Sequence, residues 1–428
     1  MSTTLAPGTA LPGTAISTLG WKIPVILGIV SVATLLFCGI LGPDSSASFG
    51  ISQSGDVFQI PELTLPGKAT GIVLGLVMVA ITVWSVMLRR QGRSIPAWAT
   101  AVFVAAFVMA FLTAMVGGAR LHEISLAGLL GGSVTLAVPL VFGSLSGVLC
   151  ERVGVVNIAI EGQLLGGAFT AALVGSVTHS AMLGMLAAAV AGALVSMVLA
   201  VFSIKYLVNQ VIVGVVLNVL VSGITGFFFT TLLQPDFEHL NTPPRLAEID
   251  IPLLSAIPVI GPILFKQSII GYAMYIAVFV VWVALFKTKW GLRVRAVGEH
   301  PQAADTLGIN VNATRFWNVT LGGAIAGIGG SYFTLVAVDS FTKEISGGRG
   351  FIALAALIFG RWNPIGAFLA ALLFGFADNL QSLVTIIGTP VPSQFMAMLP
   401  YLVTILAVAG LVGRSRGPAA SGEPYVKE

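Results

Sequence analysis

Charge is what this 428-residue sequence has least of: 9% of residues are Asp, Glu, Lys or Arg, against 56% hydrophobic. A soluble globular domain carries about 25% charged residues, so a water-soluble protein is excluded. Only two cysteines occur, Cys38 and Cys150, both in apolar stretches, which excludes a disulfide framework and reads them as packing residues. The four histidines, His122, His179, His239 and His300, are scattered over separate loops, so no metal site is expected. No G-x4-G-K-[ST] phosphate loop is present, since Gly67-Lys68 is followed by Ala69. No nucleophile is paired with a base, which disfavours a membrane-embedded enzyme, and no cofactor is expected on this chain. No cleavable signal peptide is expected ahead of the first apolar run, which has only Lys22 before it and lacks a small-x-small cleavage site. The net charge of +4 does not imply nucleic acid, because the basic residues fall in short loops between apolar runs, as orientation in a membrane requires.

What the sequence has in abundance is long apolar runs. A helix needs about 20 such residues to cross a hydrocarbon core. Runs of that kind occupy residues 23–41, 71–88, 97–116, 124–149, 158–177, 181–204, 211–233, 269–286, 316–338, 365–387 and 396–412. A shorter one, 351–360, stops at Arg361-Trp362-Asn363-Pro364, where proline interrupts the helix, and reads as a half-helix. The expected fold is an all-α polytopic membrane protein with about 11–12 transmembrane segments, one of them short or broken. Arg89, Arg90, Arg93, the basic stretch 287–315, Arg414 and Arg416 place both termini in the cytoplasm. Loops 42–70 and 234–266 then face outward. Within the second, apolar 251–265 contains Pro252, Pro258 and Pro262, too kinked for a span and suited to an external gate. The expected boundaries are a disordered cytoplasmic tail at 1–22, three helices in 23–123, a core at 124–413 with a polar loop at 287–313, and a cytoplasmic tail at 414–428. The last 15 residues are polar and Ser/Gly/Pro-rich, and are expected to be disordered.

Between Ile124 and Tyr206, three of the few charges sit in one tract, Glu151-Arg152-Val-Gly-Val-Val-Asn157-Ile-Ala-Ile-Glu161-Gly-Gln163. It is either a tight cytoplasmic turn or a broken helix in a polar cavity. Glu151-Arg152 reads as an anchor at the boundary. Asn157–Gln163 pairs with Arg361–Pro364 as two candidate breaks, each followed by an echo, Gly167-Ala-Phe169 and Gly366-Ala-Phe368. Transporters often build midplane sites from repeated breaks, although Ala/Gly/Leu-rich chains produce such echoes by chance. Polar and aromatic residues at membrane depth are the candidates for solute contact: Asn157, Glu161, Gln163, Asn218, Trp317, Phe333, Asn363 and Asp378. Each also has a packing or lipid-facing reading, and Glu161 has a structural one as a carboxylate at a helix N-terminus. The glycines Gly322, Gly323, Gly327, Gly329 and Gly330 read as close helix packing.

Within the polar loop, Gln302-Ala303-Ala304-x3-Gly308 resembles the EAA-x3-G coupling element of ABC importer permeases, with Gln in place of Glu. The surrounding Arg295-Ala-Val-Gly298-Glu299-His300-Pro-Gln302 is similar to the corresponding loop of bacterial nucleoside-type ABC permeases, in the ribose and branched-chain amino-acid permease superfamily. Residues 151–162, 251–265 and 348–378 carry the same resemblance, which covers 124–412 and leaves out 1–123. It implies a multi-pass permease of the bacterial cytoplasmic membrane that translocates a nucleoside or related sugar-containing solute, with ATP hydrolysed on a separate ATP-binding subunit. It further implies a second, often non-identical permease chain and an extracytoplasmic solute-binding lipoprotein. The coupling residues it implies are Arg293, Arg295, Gly298, Glu299, Gln302, Ala303, Ala304 and Gly308. The alternative is an ion-coupled secondary transporter acting without an ATPase, with Glu161 and Asp378 as ion sites.

Overall fold

The computed structural model describes residues 21–52, 58–119, 121, 123–388, 394–395, 398 and 417–427. The expected span at 396–412, the tail at 1–20, and Arg414 and Arg416 lie outside these residues or almost wholly so. Contacts divide the chain into two compact units, Met1–Ala47 with Leu65–Gly118 and Ser48–Thr64 with Ala119–Glu428.

The first unit holds α1 (Lys22–Thr34), which widens into a π-helical turn through Ile40, α2 (Gly67–Arg90) and α3 (Ala97–Gly117). Leu27, Met78, Phe103 and Ala106 form its small core. Arg89 and Arg90 close the last turn of α2, where cations suit the helix dipole.

The second unit contains α4 (Leu126–Arg152), α5 (Ile160–Thr178), α6 (Ala181–Ala200), α7 (Gln210–Phe228) and two short helices, α8 (Phe237–Leu240) and α9 (Ile260–Leu264). It continues with α10 (Ile269–Lys287), α11 (Lys289–Glu299), α12 (Pro301–Thr306), α13 (Val311–Tyr332), α14 (Arg349–Phe359) and α15 (Pro364–Ile386). Side chains of Ser125, Ser180, Asn209, Ser268, Thr288, Asn310 and Asn363 accept backbone hydrogen bonds at seven of the N-termini, so the starts of these helices are written locally. Among the described residues, ten helices are long and apolar enough to cross a membrane. The expected 251–265 gate segment includes α9, flanked by an antiparallel pairing of Glu248–Asp250 with Lys266–Ser268.

The core is organised around α4, which is buried along most of its length. Gly322 of α13 lies against Ser146 and Cys150, and Gly329 against Phe142, so α13 runs antiparallel to α4. Ala353 and Leu357 of α14 lie against Gly143 and Gly147, so α14 runs parallel to α4. Helices associate in lipid by van der Waals packing, and small residues let their backbones meet. At the α13–α6 crossing a β-carbon on Gly327 would strike the Ala188 carbonyl, which only glycine avoids.

With 11 residues, α14 is about 16 Å long, half of a hydrocarbon core about 30 Å thick. This is the short helix expected from the sequence. Residues 338–348 run mostly without helix between α13 and α14. The 338–363 stretch is therefore irregular chain followed by a half-helix and its turn. Within a membrane bundle, irregular backbone is tolerated only where protein or a polar cavity surrounds it.

One expectation is corrected here. The segment 417–427, expected to be disordered, is folded onto the second unit: Ala420 and Tyr425 are buried, and Gly422 donates to the Gly154 carbonyl at 3.2 Å.

Candidate solute cavity and coupling face

The charged tract holds a turn and, after it, a stretch of non-helical backbone between α4 and α5. The chain turns after α4, with Gly154 at φ 91°, where a side chain is disfavoured. It then folds back along α4 as non-helical backbone. Asn157 Nδ2 donates to Ser146 Oγ at 3.1 Å and to Cys150 Sγ at 3.5 Å. Ser146 precedes Arg152 by six residues, so Asn157 sits about 9 Å back into the bundle. Glu151 and Arg152 clamp the α14–α15 turn: Glu151 Oε2 accepts from Trp362 Nε1 at 2.5 Å, and Arg152 Nε donates to the Trp362 carbonyl at 2.8 Å. Arg361 and Trp362 both adopt left-handed φ in this turn, at 55° and 53°. The second expected break is therefore a clamped turn at the bundle's end.

The eight candidate solute residues separate into distinct groups. Asn157 and Gln163 are fully buried and bond to each other. Gln163 Nε2 also donates to Ser196 Oγ at 2.8 Å, joining α4, α5 and α6 in one buried network. Trp317 lies near the start of α13 and is 63% exposed. Phe333 is buried beneath the Arg349 guanidinium, 5.7 Å from its ring centroid, and Arg349 pairs with Asp378 at 3.2 Å. Asn363 caps α15, accepting from Ile365 N at 3.0 Å.

Glu161 and Asn218 do come together, in a cavity of about 610 Å³ that also takes in Ser222, Glu344, Ser346 and Phe351. Glu161 accepts three hydrogen bonds, from Ser346 Oγ at 2.6 Å, Gly348 N at 2.8 Å and Gly350 N at 2.6 Å. It thereby caps α14 from another helix, satisfying orphan N–H groups and placing a carboxylate at the positive end of the half-helix dipole. Asn218 accepts from Gly162 N and donates to the Ile158 carbonyl, both at 2.8 Å, and so pins the start of α5 to α7. Ser222 Oγ donates to Glu344 Oε1 at 3.1 Å across the cavity.

Ser222, Glu344 and Phe351 were not among the sequence candidates. Ser222 follows Asn218 by one helical turn, a spacing that puts both on one face and was available in the sequence. Glu344 carried no such signal, because its stretch reads as an external loop until the fold returns it to the bundle.

The eight residues expected to couple to an ATPase lie on α11, on α12 and in the turn that follows it. Pro301 opens α12, which buries Ala304 and exposes Gln302 and Ala303. Gly308 follows at φ 80°. Arg293 is exposed, whereas the Arg295 guanidinium stacks on Phe286 at 5.3 Å, and Arg152 stacks on the same ring at 5.5 Å. Gly298 lies so close to the Arg152 carbonyl that a β-carbon there would overlap it. Glu299 Oε2 accepts from Ala419 N at 3.3 Å. A cavity of about 560 Å³ opens beside Arg293, Gly308, Trp290 and Trp317.

Ten spanning helices, a half-helix capped inside the bundle beside a polar cavity, and a short exposed helix between two spans define a multi-pass membrane protein of transport type. Residues 129–408 match the family described as branched-chain amino acid transport system / permease component, and the chain belongs to it. It is a transport subunit of the cytoplasmic membrane. The guanosine ABC transporter permease protein NupQ of Bacillus subtilis is 43% identical over 305 residues, covering 69% of this chain and 95% of that protein. The nucleoside ABC transporter permease protein NupC of Lactococcus lactis is 40% identical, over 68% of this chain and 94% of its own length. A putative glucose ABC transporter permease protein, TsgC13 of Haloferax volcanii, is 32% identical, over 71% of this chain and 98% of its own. No solved structure matches. The family match begins after α1–α3.

Proposed function

We propose that the chain is the permease subunit of an ATP-driven importer for nucleosides or related sugar-containing solutes. The observation that carries this reading is the cavity at the capped end of α14. Its amide, hydroxyl and carboxylate groups (Asn218, Ser222, Ser346, Glu344) and the Phe351 ring suit a ligand with a flat base and a hydroxylated sugar. The names of the most similar relatives favour the same cargo. A binding protein would deliver solute to the 234–266 side, and an ATP-binding subunit would dock on the exposed face of α12, with Gln302 and Ala303 at its centre. A second permease chain would complete the complex. The 11–12-span count, the cytoplasmic location of both termini and the external gate at 251–265 belong to this reading.

The rival, an ion-coupled carrier, requires Glu161 and Asp378 to be available for ions. Glu161 already accepts three hydrogen bonds and Asp378 pairs with Arg349. The deciding experiment is guanosine uptake into proteoliposomes. Uptake requires the ATP-binding subunit and ATP, Ala303→Asp abolishes it, and Glu344→Gln raises KM while leaving ATP hydrolysis intact. Gradient-driven uptake by this chain alone would overturn the proposal.

A further inference from the structure

The 417–427 segment touches five separate parts of the second unit in sequence. Gly417 lies on the Trp362 ring, so that a β-carbon there would come within 3.0 Å of it. Ala419 N donates to Glu299 Oε2 at 3.3 Å, and Ala420 N to the Gly298 carbonyl at 3.0 Å. Gly422 N donates to the Gly154 carbonyl at 3.2 Å. The Glu423 carbonyl accepts from Arg315 Nη1 at 2.9 Å, and Lys427 Nζ pairs with Asp305 at 3.3 Å. The segment thus spans from α12, through the ends of α11 and α4 and the start of α13, to the α14–α15 turn.

Two observations mark it as a built element. Arg315 is only 2% exposed, and its Nη1 donates to the Glu423 carbonyl, while Nε and Nη2 lack partners among the described residues. A buried cation without partners is costly, so the segment is tied to the guanidinium it covers. Gly422 adopts φ 83°, a left-handed geometry that glycine supplies without strain.

We propose that residues 417–427 are a coupling strap, which carries displacement of α11–α12 to the Trp362 turn and so to α14, whose other end bounds the solute cavity. Without the strap, α12 reaches α14 through α11 or α13 and then α4. The strap is a positioning element and makes no solute contact. This inference rests on the reading of α12 as the ATPase dock.

The test uses the assembled complex in proteoliposomes and follows three quantities: co-purification of the ATP-binding subunit, ATP hydrolysis and guanosine uptake. Deleting residues 417–428 is expected to preserve assembly and keep hydrolysis within about twofold, while uptake per ATP falls tenfold or more. Gly422→Val, strained at its φ, is expected to shift the same ratio in the same direction. Gly422→Asn, which tolerates left-handed geometry, restores most of it. An unchanged uptake-to-hydrolysis ratio in the deletion overturns the strap, as does loss of assembly, which would make the segment purely architectural. Ala303→Asp run in parallel separates the two ideas. If that variant still transports, the docking surface itself falls. If it fails while the strap deletion is silent, only the strap falls.

Discussion

Asn157 and Gln163 are joined by two reciprocal amide hydrogen bonds, Nδ2 to Oε1 at 3.1 Å and Nε2 to Oδ1 at 3.0 Å. The pair is wholly buried and continues to Ser146, Cys150 and Ser196, so that each amide spends its groups inside the protein. A closed network of this kind fixes three helices at one depth. The donors of both amides are spent on protein acceptors.

Asn157→Ala should therefore act on stability. It leaves one Gln163 amide N–H without its Asn157 acceptor while the bonds to Ser146 and Ser196 remain, and an unsatisfied buried polar group costs about 1–3 kcal/mol. The expected result is a lower thermal midpoint in detergent and less folded protein, with KM for uptake unchanged in what remains. A raised KM at unchanged stability would instead place Asn157 on the solute path.

Glu161→Gln should be more damaging, despite its similar shape. The carboxylate receives three donors, and a Gln amide turns one of its faces into a donor pointing at N–H groups. Hydrogen bonds to charged groups contribute about 1.5–3 kcal/mol. Uptake is expected to fall at least tenfold, and a cysteine placed at Phe351 should react faster with a soluble thiol reagent as the end of α14 loosens. Ser346→Ala, which removes one donor of the three, should give a smaller effect.

Gly308 separates backbone from bulk. At φ 80° it is left-handed, yet a β-carbon there would meet nothing within 4 Å. A non-glycine residue in that conformation costs about 1–2 kcal/mol. Uptake should therefore rank Gly above Asn, Asn above Ala and Ala above Val, with membrane insertion normal throughout. A ranking by side-chain size alone would mean that the surface, rather than the turn, is being tested.

His239 offers a pH handle outside the spans. Its Nδ1 lies 2.6 Å from Asp236 Oδ1, and that bond together with the carboxylate charge raises its pKa above the ordinary imidazole value. Because the folded value is raised, the pair's contribution is present in full below the unfolded imidazole pKa and is lost as pH rises through the raised folded value. Asp236→Asn should return the His239 titration toward its ordinary midpoint, as followed by NMR of a ring-labelled sample. An unmoved midpoint would show that Asp236 is not the cause.

The membrane class, ten of the spans, the short helix at 351–360 and the short exposed helix in the 287–313 loop were legible in the sequence, because each depends on local chemistry. Apolar run length, a proline after Asn363, a cap residue before a run, and a polar loop with Pro301 and Gly308 are all read within a few residues of themselves. Glu151-Arg152 as an anchor was legible too, although its partner, Trp362, was not. Only the tertiary structure decided which polar residues face a cavity. Asn157 and Glu161 are four residues apart, yet one is sealed in an amide network and the other caps a helix that begins nearly two hundred residues later. The same holds for Glu344 and for the 417–427 strap, which composition assigns to solvent and packing assigns to the protein. Burial and hydrogen bonding between distant segments follow from how helices stack, and no periodicity within one segment encodes that.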